Sequence, residues 1–269
     1  MSLEFTKMHG LGNDYIYFDC VSKAQPKDPE KLSIKLSDRH FGVGGDGIVL
    51  IMPSDKADFR MRMFNADGSE GAMCGNASRC IAKYVYERGL TDKTKVTLET
   101  KSGIKTLDIT GNDHKAQSVT VDMGKPIIGA LSEPIKTENG EYVYTFVDMG
   151  NPHCVIFTEE DTTSLELEKL GRPLENHKVF PDRANVEFVN VLGKNDLRMR
   201  VWERGSGETL ACGTGACATV TAAAANGLVP KNEPVNVHLL GGTLTIVYTD
   251  EKVLMTGPAE FVFDGVVEE

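Results

Sequence analysis

The chain has 269 residues, and its content of 41% hydrophobic and 25% charged residues is typical of a globular protein with a packed core rather than of a disordered one. The formal net charge of −10 is offset by no basic run, which argues against a nucleic acid or an anionic membrane as a partner. No apolar stretch approaches the roughly 18 residues of a membrane span, and the first residues lack the pattern of a secretory signal.

The six cysteines are too few for a disulfide framework in a chain of this length. The closest pairs in sequence are Cys74 with Cys80 and Cys212 with Cys217, and neither spacing is that of a zinc site. We therefore expect reduced thiols in a cytoplasmic protein that holds no metal.

Residue periodicity predicts many strands and four helices. Strand patterns cover residues 48–52, 58–65, 104–109, 118–123, 144–149, 154–158, 185–191, 196–203 and 243–248. Helical patterns cover 29–40, 76–88, 165–170 and 215–226, and the last three precede Gly89, Gly171 and Gly227, which are typical helix ends. The glycine-rich segment 42–47 leads into a strand, so it is interpreted as a turn and not as a nucleotide-binding loop. No motif requires an organic cofactor.

Related residues recur at a spacing of 138 along the chain. The corresponding segments are Gly12–Asn13 with Gly150–Asn151, 60–65 with 198–203, Glu70 with Glu208, and Cys74–Gly75 with Cys212–Gly213. Beyond the cysteines the spacing becomes 139, so that residues 96–103 fall on 235–242. A nearly constant spacing over five segments indicates a tandem duplication.

The duplication predicts an α+β protein with two pseudo-symmetric domains, each a mostly antiparallel β-sheet or barrel wrapped around one central helix. We expect an N-terminal domain over residues 1–115 and a C-terminal domain over 116–269, with the last ~12 residues able to return to the first domain. Each central helix begins at a cysteine, Cys74 in the first domain and Cys212 in the second.

Both cysteines precede small residues at the predicted start of a helix. A helix N-terminus presents unpaired N–H groups and a partial positive charge. We therefore expect the thiol pKa to fall below its free value of about 8.5, and the N–H groups to form a seat for an anion such as a carboxylate.

Two equivalent thiols beside anion seats favour a racemase or epimerase. Such an enzyme removes a proton from one face of a carbon next to a carboxylate and returns a proton to the other face, so it needs two acid–base groups of the same type. One thiol is ionised while the other is protonated, and the helix N–H groups stabilise the charge that builds on the carboxylate.

The segment Asn65–Arg79, NADGSEGAMCGNASR, resembles the signature of the diaminopimelate epimerase family. MHGLGNDY, GNPHCV, RANVEFV and WERGSGETLACGTGACA resemble further blocks of that family in the same order, so the resemblance covers essentially the whole chain. It implies a cofactor-independent epimerase that interconverts LL- and meso-2,6-diaminopimelate in lysine and peptidoglycan precursor synthesis. It also implies two domains related by a pseudo-twofold axis, a small amino-acid substrate and a homodimer.

The same resemblance implies the site residues. Cys74 and Cys212 become the acid–base pair, with Cys74 as the base toward the LL isomer. The implied substrate-binding residues are Asn13, Asn65, Gly75, Asn76, Asn151, Asn185, Glu203, Arg204, Gly213 and Thr214. Among these, Arg204 can hold the distal carboxylate in a bidentate way. Glu203 can accept a hydrogen bond from the substrate ammonium or assist proton transfer, and the sequence leaves both roles open.

Gly47 departs from the family pattern, because some members have Gln there. Gly47 corresponds to Asn185 in the repeat, so one amide contact to the substrate is expected to be absent or replaced. His153 follows the Asn151–Pro152 turn, and the sequence leaves open whether it tunes a cysteine or only orders the loop.

Other conspicuous side chains are interpreted as structural. This group comprises the packed thiols of Cys20, Cys80, Cys154 and Cys217, Glu70 and Glu208 as holders of the turn before each cysteine, and Arg60, Arg62, Arg198 and Arg200 on solvated strand faces.

Three other functions stay open. A proline or hydroxyproline epimerase would use the same pair of thiols, but a small cyclic substrate would not need four asparagines and Arg204. The absence of a C-x-x-C motif disfavours a redox protein. The presence of both cysteines disfavours a non-catalytic binder of amino acids.

Overall fold

Residues 2–268, which the computed structural model describes, form two units built mainly of strands. The first unit contains the residues up to Val121 and those from Gly257 onward, and the second runs from Asp122 to Thr256. In the described range no helix is long and apolar enough to span a membrane.

The elements of the first unit, in chain order, are β1 (Ser2–Gly10), β2 (Asn13–Asp19), α1 (Pro29–Ser37), β3 (Gly47–Met52), β4 (Phe59–Asn65), β5 (Glu70–Gly71), α2 (Gly75–Glu87), β6 (Lys95–Thr100), β7 (Gly103–Asn112) and β8 (Lys115–Gly124), whose last three residues belong to the second unit. The elements that follow are β9 (Ile127–Ile128), β10 (Glu133–Thr137), β11 (Gly140–Asp148), β12 (Pro152–Phe157), the 3₁₀ turn Thr162–Ser164, α3 (Leu167–Glu175), β13 (Asn185–Gly193), β14 (Asp196–Glu203), β15 (Gly207–Glu208), α4 (Gly213–Ala225), β16 (Pro234–Leu239), β17 (Gly242–Tyr248) and β18 (Val253–Gly257). The last strand, β19 (Glu260–Glu268), belongs to the first unit.

Strand pairing repeats from one unit to the other. In the first unit β2 pairs parallel with β3, β3 antiparallel with β4, β4 parallel with β6, and β6 antiparallel with β7. In the second unit β12 pairs parallel with β13, β13 antiparallel with β14, β14 parallel with β16, and β16 antiparallel with β17. The predicted α+β class is confirmed, and each predicted strand lies within or closely overlaps an observed one.

Helix α4 is buried along almost its whole length because its residues are small. It packs against β11, β12, β13, β14, β16 and β17. Its buried residues are Gly213, Gly215, Ala216, Cys217, Ala218, Thr219, Val220, Thr221, Ala222 and Ala223. A helix without a polar face is stable only where protein surrounds it, so the sequence ACATVTAAAA accounts for the central position of α4.

The first unit is completed by the end of the chain. Strand β19 pairs antiparallel with β1 along its length, from Ser2 opposite Glu268 to His9 opposite Glu260. The backbone oxygen of Pro258 accepts a hydrogen bond of 3.0 Å from Nε of Arg79, a residue of α2 that is fully buried. The last strand therefore contributes to both the sheet and the helix packing of the first unit.

Two helix ends differ from the prediction. Helix α1 stops at Ser37 instead of His40, because Asp38 has ψ 122° and its carboxylate accepts hydrogen bonds from the N–H groups of His40 and Phe41. Helix α3 continues through Gly171 instead of ending there. A Cβ on Gly171 would lie 2.5 Å from Cβ of Trp202, so this glycine serves close packing and not a helix end.

Arg62 and Arg200 were interpreted as solvated side chains, and this is wrong. Nε of Arg62 donates to Glu70 at 2.7 Å, and Nε of Arg200 donates to Glu208 at the same distance. Arg200 also donates to the backbone oxygen of Thr162. Each arginine thus ties the turn before a cysteine to its neighbouring strand, which agrees with the structural role given to the two glutamates.

Candidate active site

Each unit places one cysteine as the N-cap of its buried helix. Cys74 has φ −135° and ψ 121°, and its Sγ accepts a hydrogen bond from the N–H of Ala77 at 3.4 Å. Cys212 has φ −109° and ψ 108°, and its Sγ accepts one from the N–H of Gly215 at 3.3 Å. Both sulfurs therefore take the capping position in which serine or aspartate is commonly found.

The thiol of Cys74 meets a hydrogen-bond acceptor. Its Sγ lies 3.4 Å from Oδ1 of Asn13, and it donates to that oxygen. Nδ2 of Asn13 in turn donates to Asp46 at 2.7 Å, which fixes the amide with its oxygen toward the thiol. Cys74 is half-buried.

Asp46 belongs to a charged network beneath this site. Burial, together with the charge of Asp14, raises the pKa of Asp46. Burial would also raise the pKa of Asp14, but hydrogen bonds from Arg39 and Lys7 outweigh it and lower the pKa instead. Lys7 is itself buried and lies 2.5 Å from Asp14. The network holds the 42–47 turn against β2, and with it the amide of Asn13.

The other candidates of the first unit surround the start of α2. Gly75 and Asn76 are the first two residues of that helix, where backbone N–H groups have no intrahelical partner. Asn65 ends β4, and its Nδ2 donates to Ser69 at 3.0 Å in the turn that leads to β5. All three lie close in the chain to Cys74 or to its turn.

Cys212 lies in a different environment from Cys74. It is buried, and burial followed by the charges of Glu203 and Glu187 raises the pKa of its thiol well above the usual value. The predicted lowering of the thiol pKa by the helix start is therefore wrong for Cys212 in the free protein. The hydrogen bonds from Thr214 and Gly215 lower the pKa, but desolvation is the larger effect.

Asn151 and His153 are connected to Cys212 through Thr214. Nδ2 of Asn151 donates to Oγ1 of Thr214 at 3.3 Å, and Oγ1 of Thr214 lies 3.5 Å from Sγ of Cys212. His153 is fully buried, with Nε2 3.2 Å from Oδ1 of Asn151 and Nδ1 2.6 Å from Oε1 of Glu187. His153 thus both orders the turn and connects to the cysteine, so the two open interpretations are not exclusive.

Asn185, Glu203 and Arg204 meet where β13 begins and β14 ends. Both ends of the Asn185 amide bond to backbone: Nδ2 donates to the oxygen of Pro152 at 3.0 Å, and Oδ1 accepts from the N–H of Arg204 at 2.9 Å. Glu203 accepts from Oγ1 of Thr209 at 2.5 Å. Asn185 therefore fixes the backbone that carries the two charged candidates.

Gly47 is required by the close approach of two strands. It has φ 153°, and a Cβ on it would lie 2.0 Å from the backbone oxygen of Phe64. No side chain fits there unless the β3–β4 pair moves. This explains why the chain has no side-chain amide at this position, where some members of the family have Gln. The neighbouring Asp46 instead reaches the site through Asn13.

Sequence reasoning missed several residues of these networks, among them Asp46, Glu187 and Glu175. Glu175 is buried in α3 and accepts from Nε1 of Trp202 at 2.8 Å and from the N–H of Gly205 at 2.9 Å, so it holds the turn after Arg204. Glu187 carried a usable signal, because a charged residue occupies an apolar position within the strand NVEFVNV.

The remaining thiols are set apart from this chemistry. Cys80, Cys154 and Cys217 are fully buried, and Cys20 is half-buried. Burial raises the pKa of both Cys20 and Cys80 to about 12. Their interpretation as packing residues agrees with these surroundings.

The sequence matches a family model described as diaminopimelate epimerase over residues 5–128 and 145–262. Similar proteins include the diaminopimelate epimerases of Agathobacter rectalis, 50% identical, and of Phocaeicola vulgatus, 52% identical. Each of these alignments covers 99% of this chain and 99% of the relative.

Among solved structures, the fold is similar to that of a hydroxyproline epimerase from Agrobacterium vitis. The TM-score is 0.76 at 18% identity, over 99% of this chain and 92% of that one. A Bacillus anthracis protein of the phenazine biosynthesis PhzF family gives a TM-score of 0.76 at 18% identity, and both chains are covered completely. At such identities these similarities establish the fold alone.

Proposed function

The chain belongs to the diaminopimelate epimerase family, and from that premise we propose that it interconverts LL- and meso-2,6-diaminopimelate by two-base proton transfer at the α-carbon. The chain is an epimerase, and the proposal adds its mechanism and the residues that carry it. Cys74 and Cys212 are the two bases, acting on opposite faces of one carbon.

The observation that carries this proposal is the matched capping of two helices by thiols. The N–H of the third helical residue bonds to each sulfur, so each thiol lies at the positive end of its helix, where a carboxylate also binds favourably. A carboxylate bound there would be polarised at the moment when a proton leaves the adjacent carbon.

In the proposed reaction a thiolate takes the α-hydrogen as a proton, and the electron pair of the broken C–H bond passes into the carboxylate as an enediolate. The other thiol then gives its proton to the opposite face of the same carbon. The enzyme ends with the protonation of its cysteines exchanged, so the reverse reaction starts from that state. The N–H groups of Gly75, Asn76, Gly213 and Thr214 stabilise the enediolate.

The remaining candidates bind the far end of the substrate. Arg204 donates from one guanidinium nitrogen to the backbone oxygen of Asp182 at 2.8 Å, which holds the side chain while its other donors serve the distal carboxylate. The charge of Glu203 acts on Cys212, and in this proposal the Glu203 carboxylate accepts a hydrogen bond from the substrate ammonium. Asn13, Asn65 and Asn151 complete the recognition of the two amino-acid groups.

The pathway and the assembly belong to the same proposal. A diaminopimelate epimerase supplies lysine and peptidoglycan precursors, so we place this chain in the cytoplasm, as a homodimer without an organic cofactor. Sedimentation of the purified protein tests the dimer separately from the chemistry.

Deuterium incorporation tests the reaction directly. Purified protein with LL-diaminopimelate in deuterated water and no added cofactor is expected to form meso product that carries one deuterium at the inverted carbon in early turnover. Cys74→Ala and Cys212→Ala should each abolish inversion, and substantial inversion by either variant would exclude the two-base scheme. L-proline in parallel serves as the competing substrate, and its inversion at a comparable rate would overturn the substrate assignment.

A further inference from the structure

The carboxylate of Glu175 joins two segments that lie apart in the sequence. Its Oε1 accepts hydrogen bonds from the backbone N–H of Gly205 at 2.9 Å and from Nη1 of Arg183 at 3.0 Å. Its Oε2 accepts one from Nε1 of Trp202 at 2.8 Å. The side chain of Glu175 is only 6% exposed, so its charge is desolvated and depends on these donors. All four residues belong to the second unit.

The two segments that Oε1 joins are the ones that hold Arg204. The side chain of Arg204 donates from Nη1 to the backbone oxygen of Asp182 at 2.8 Å, and Arg183 directly follows that residue. On the other side, Gly205 directly follows Arg204 itself. One oxygen of Glu175 therefore connects the backbone that carries Arg204 with the segment to which its guanidinium is anchored.

Both segments are exposed turns whose conformation depends on contacts with the rest of the unit. Residues 181–183 and 205–206 are exposed. Arg183 has φ 59°, a left-handed conformation that costs free energy for a residue other than glycine and persists where the surrounding structure favours it. Its ion pair with the buried Glu175 provides such support. Without the carboxylate, we expect the two turns to move relative to each other.

The internal repeat offers a comparison within the same chain. Helices α1 and α3 have the same length and begin 138 residues apart, so the counterpart of Glu175 is Ser37. At the same spacing the counterpart of Arg204 is Ala66. The hydroxyl of Ser37 is buried and has no hydrogen-bond partner within residues 2–268. The chain thus has the carboxylate in the half with the arginine, and a serine in the half with alanine.

We propose that Glu175 is a positioning residue, which holds the guanidinium of Arg204 where it binds the distal carboxylate of the substrate. The inference rests on the proposed function, in which Arg204 binds that carboxylate. A bidentate bond between a guanidinium and a carboxylate requires a defined distance and angle, so a guanidinium that moves freely loses part of its affinity. Glu175 acts through Gly205 and Arg183 and not on the substrate itself.

The steady-state constants should report this role. The distal carboxylate keeps its charge throughout the reaction, because the proton moves at the other end of the substrate. Its binding is therefore the same in the ground state and in the transition state, and weaker binding raises KM while kcat stays nearly constant. We expect Glu175→Ala to raise KM for LL-diaminopimelate roughly tenfold and to change kcat by less than about twofold. Initial rates, followed by chromatographic separation of the LL and meso isomers, give both constants.

A double-mutant cycle shows whether the effect passes through Arg204. If it does, Glu175→Ala changes kcat/KM by less than about twofold in an Arg204→Ala background, because no guanidinium is left to position. A general loosening of the second unit would instead lower kcat/KM by the same factor in both backgrounds. If Glu175→Ala does not fold, Arg183→Ala takes its place in the cycle with the same expectations, since the exposed Arg183 supplies one of the two bonds to Oε1.

Two further variants serve as controls. Leu174→Val trims a fully buried side chain next to Glu175 on α3, so it weakens the packing of the helix while the carboxylate keeps its three bonds. Ser37→Ala changes the counterpart position in the first unit. Both variants should keep the KM and kcat of wild type within about twofold.

A wild-type KM in folded Glu175→Ala, or equal losses of kcat/KM in both backgrounds, would overturn the role of Glu175. An unchanged KM in Arg204→Ala would overturn the binding role of Arg204 and this inference together, while the deuterium experiment still succeeds. If wild type itself forms no labelled meso product, the proposed function fails and the inference falls with it.

Discussion

The two cysteines show that a position at a helix start does not by itself set the reactivity of a thiol. Both cap a helix with nearly the same backbone geometry, yet Cys74 is half-buried and Cys212 is buried. Desolvation raises the pKa of Cys212 by more than the helix N–H groups and Thr214 lower it. The sequence indicated the cap correctly but could not indicate the burial, which depends on the strands that surround α4.

Serine at position 74 should separate folding from catalysis. Cys74→Ser keeps an N-cap acceptor for the N–H of Ala77, so its free energy of unfolding should stay close to that of wild type, whereas Cys74→Ala should lose about 1 kcal/mol. Both should lose inversion, because a hydroxyl is too weak an acid to exchange roles with Cys212. Urea titration and the deuterium assay measure the two effects, and an active Cys74→Ser would refute the assignment of Cys74.

Gly47→Ala should be strongly destabilising because its Cβ would meet the backbone oxygen of Phe64 at 2.0 Å. We expect a loss of at least ~3 kcal/mol in the free energy of unfolding, since two paired strands must separate to admit the methyl group. Gly193→Ala is the control, because nothing lies within 4 Å of its Cβ. Equal stability of the two variants in urea titration would show that β3 and β4 yield easily at this point.

At the scale of elements, the duplicated ion pairs tie each strand to the turn before its cysteine. Hydrogen bonds from Arg62 and then Lys101 outweigh burial and lower the pKa of Glu70 to about 2, from an ordinary value of 4.5. Between about pH 2 and pH 4.5, the carboxyl group of Glu70 binds a proton in the unfolded chain but not in the folded chain. The stabilisation is therefore complete above pH 4.5 and is lost as the pH falls toward 2.

Glu70→Gln should remove this contribution, which we place at about 1–3 kcal/mol near neutral pH after allowance for solvent. The stability of the variant should fall less steeply than that of wild type as the pH drops below 4.5. Urea titrations over a pH series check the slope. Glu159→Gln, a change at an exposed glutamate, should leave the pH dependence of the unfolding free energy as it is in wild type. If Glu70→Gln also kept the wild-type pH dependence, the role of the ion pair would be contradicted.

The elements themselves were largely predictable, because period and repeat are local properties of the sequence. The alternation in DFRMRMFN and DLRMRVWE places β4 and β14 correctly, and the repeat predicts that their neighbours correspond. The contact of His153 with Glu187 was not predictable in this way. It depends on the parallel register of β12 and β13, where His153 lies opposite Asn185 and Val155 opposite Glu187, so both side chains share one face.

At the scale of the whole molecule, the first unit is discontinuous in sequence whereas the second is a single segment. A chain that ends at Gly257 lacks β19, so β1 loses the partner it has from Ser2 to His9 and Arg79 loses the oxygen of Pro258. An edge strand and a buried guanidinium are then left without these partners.

We expect this truncation to remove amide protection from β1 and β2 in hydrogen exchange, while β13 and β14, which pair within the second unit, keep theirs. The truncated chain should also lose the ability to invert the α-carbon of the substrate. Asp264→Ala in the full chain is the matched control, because it removes the ion pair with Arg88 and the side-chain hydrogen bond from Thr6 but keeps the backbone pairing of β1 with β19, so it should cost about 1–2 kcal/mol. Retained protection of β1 in the truncated chain would show that β19 is dispensable.

The pairing of β1 with β19 also governs the order in which the protein can mature on the ribosome. Strand β1 is translated long before its partner β19, with the whole second unit between them. The nascent chain can thus complete the half that contains Cys212 while the half that contains Cys74 still waits for its closing strand. A polypeptide that ends before β19 lacks the closing strand of its N-terminal half, so activity is expected only from chains that include β19.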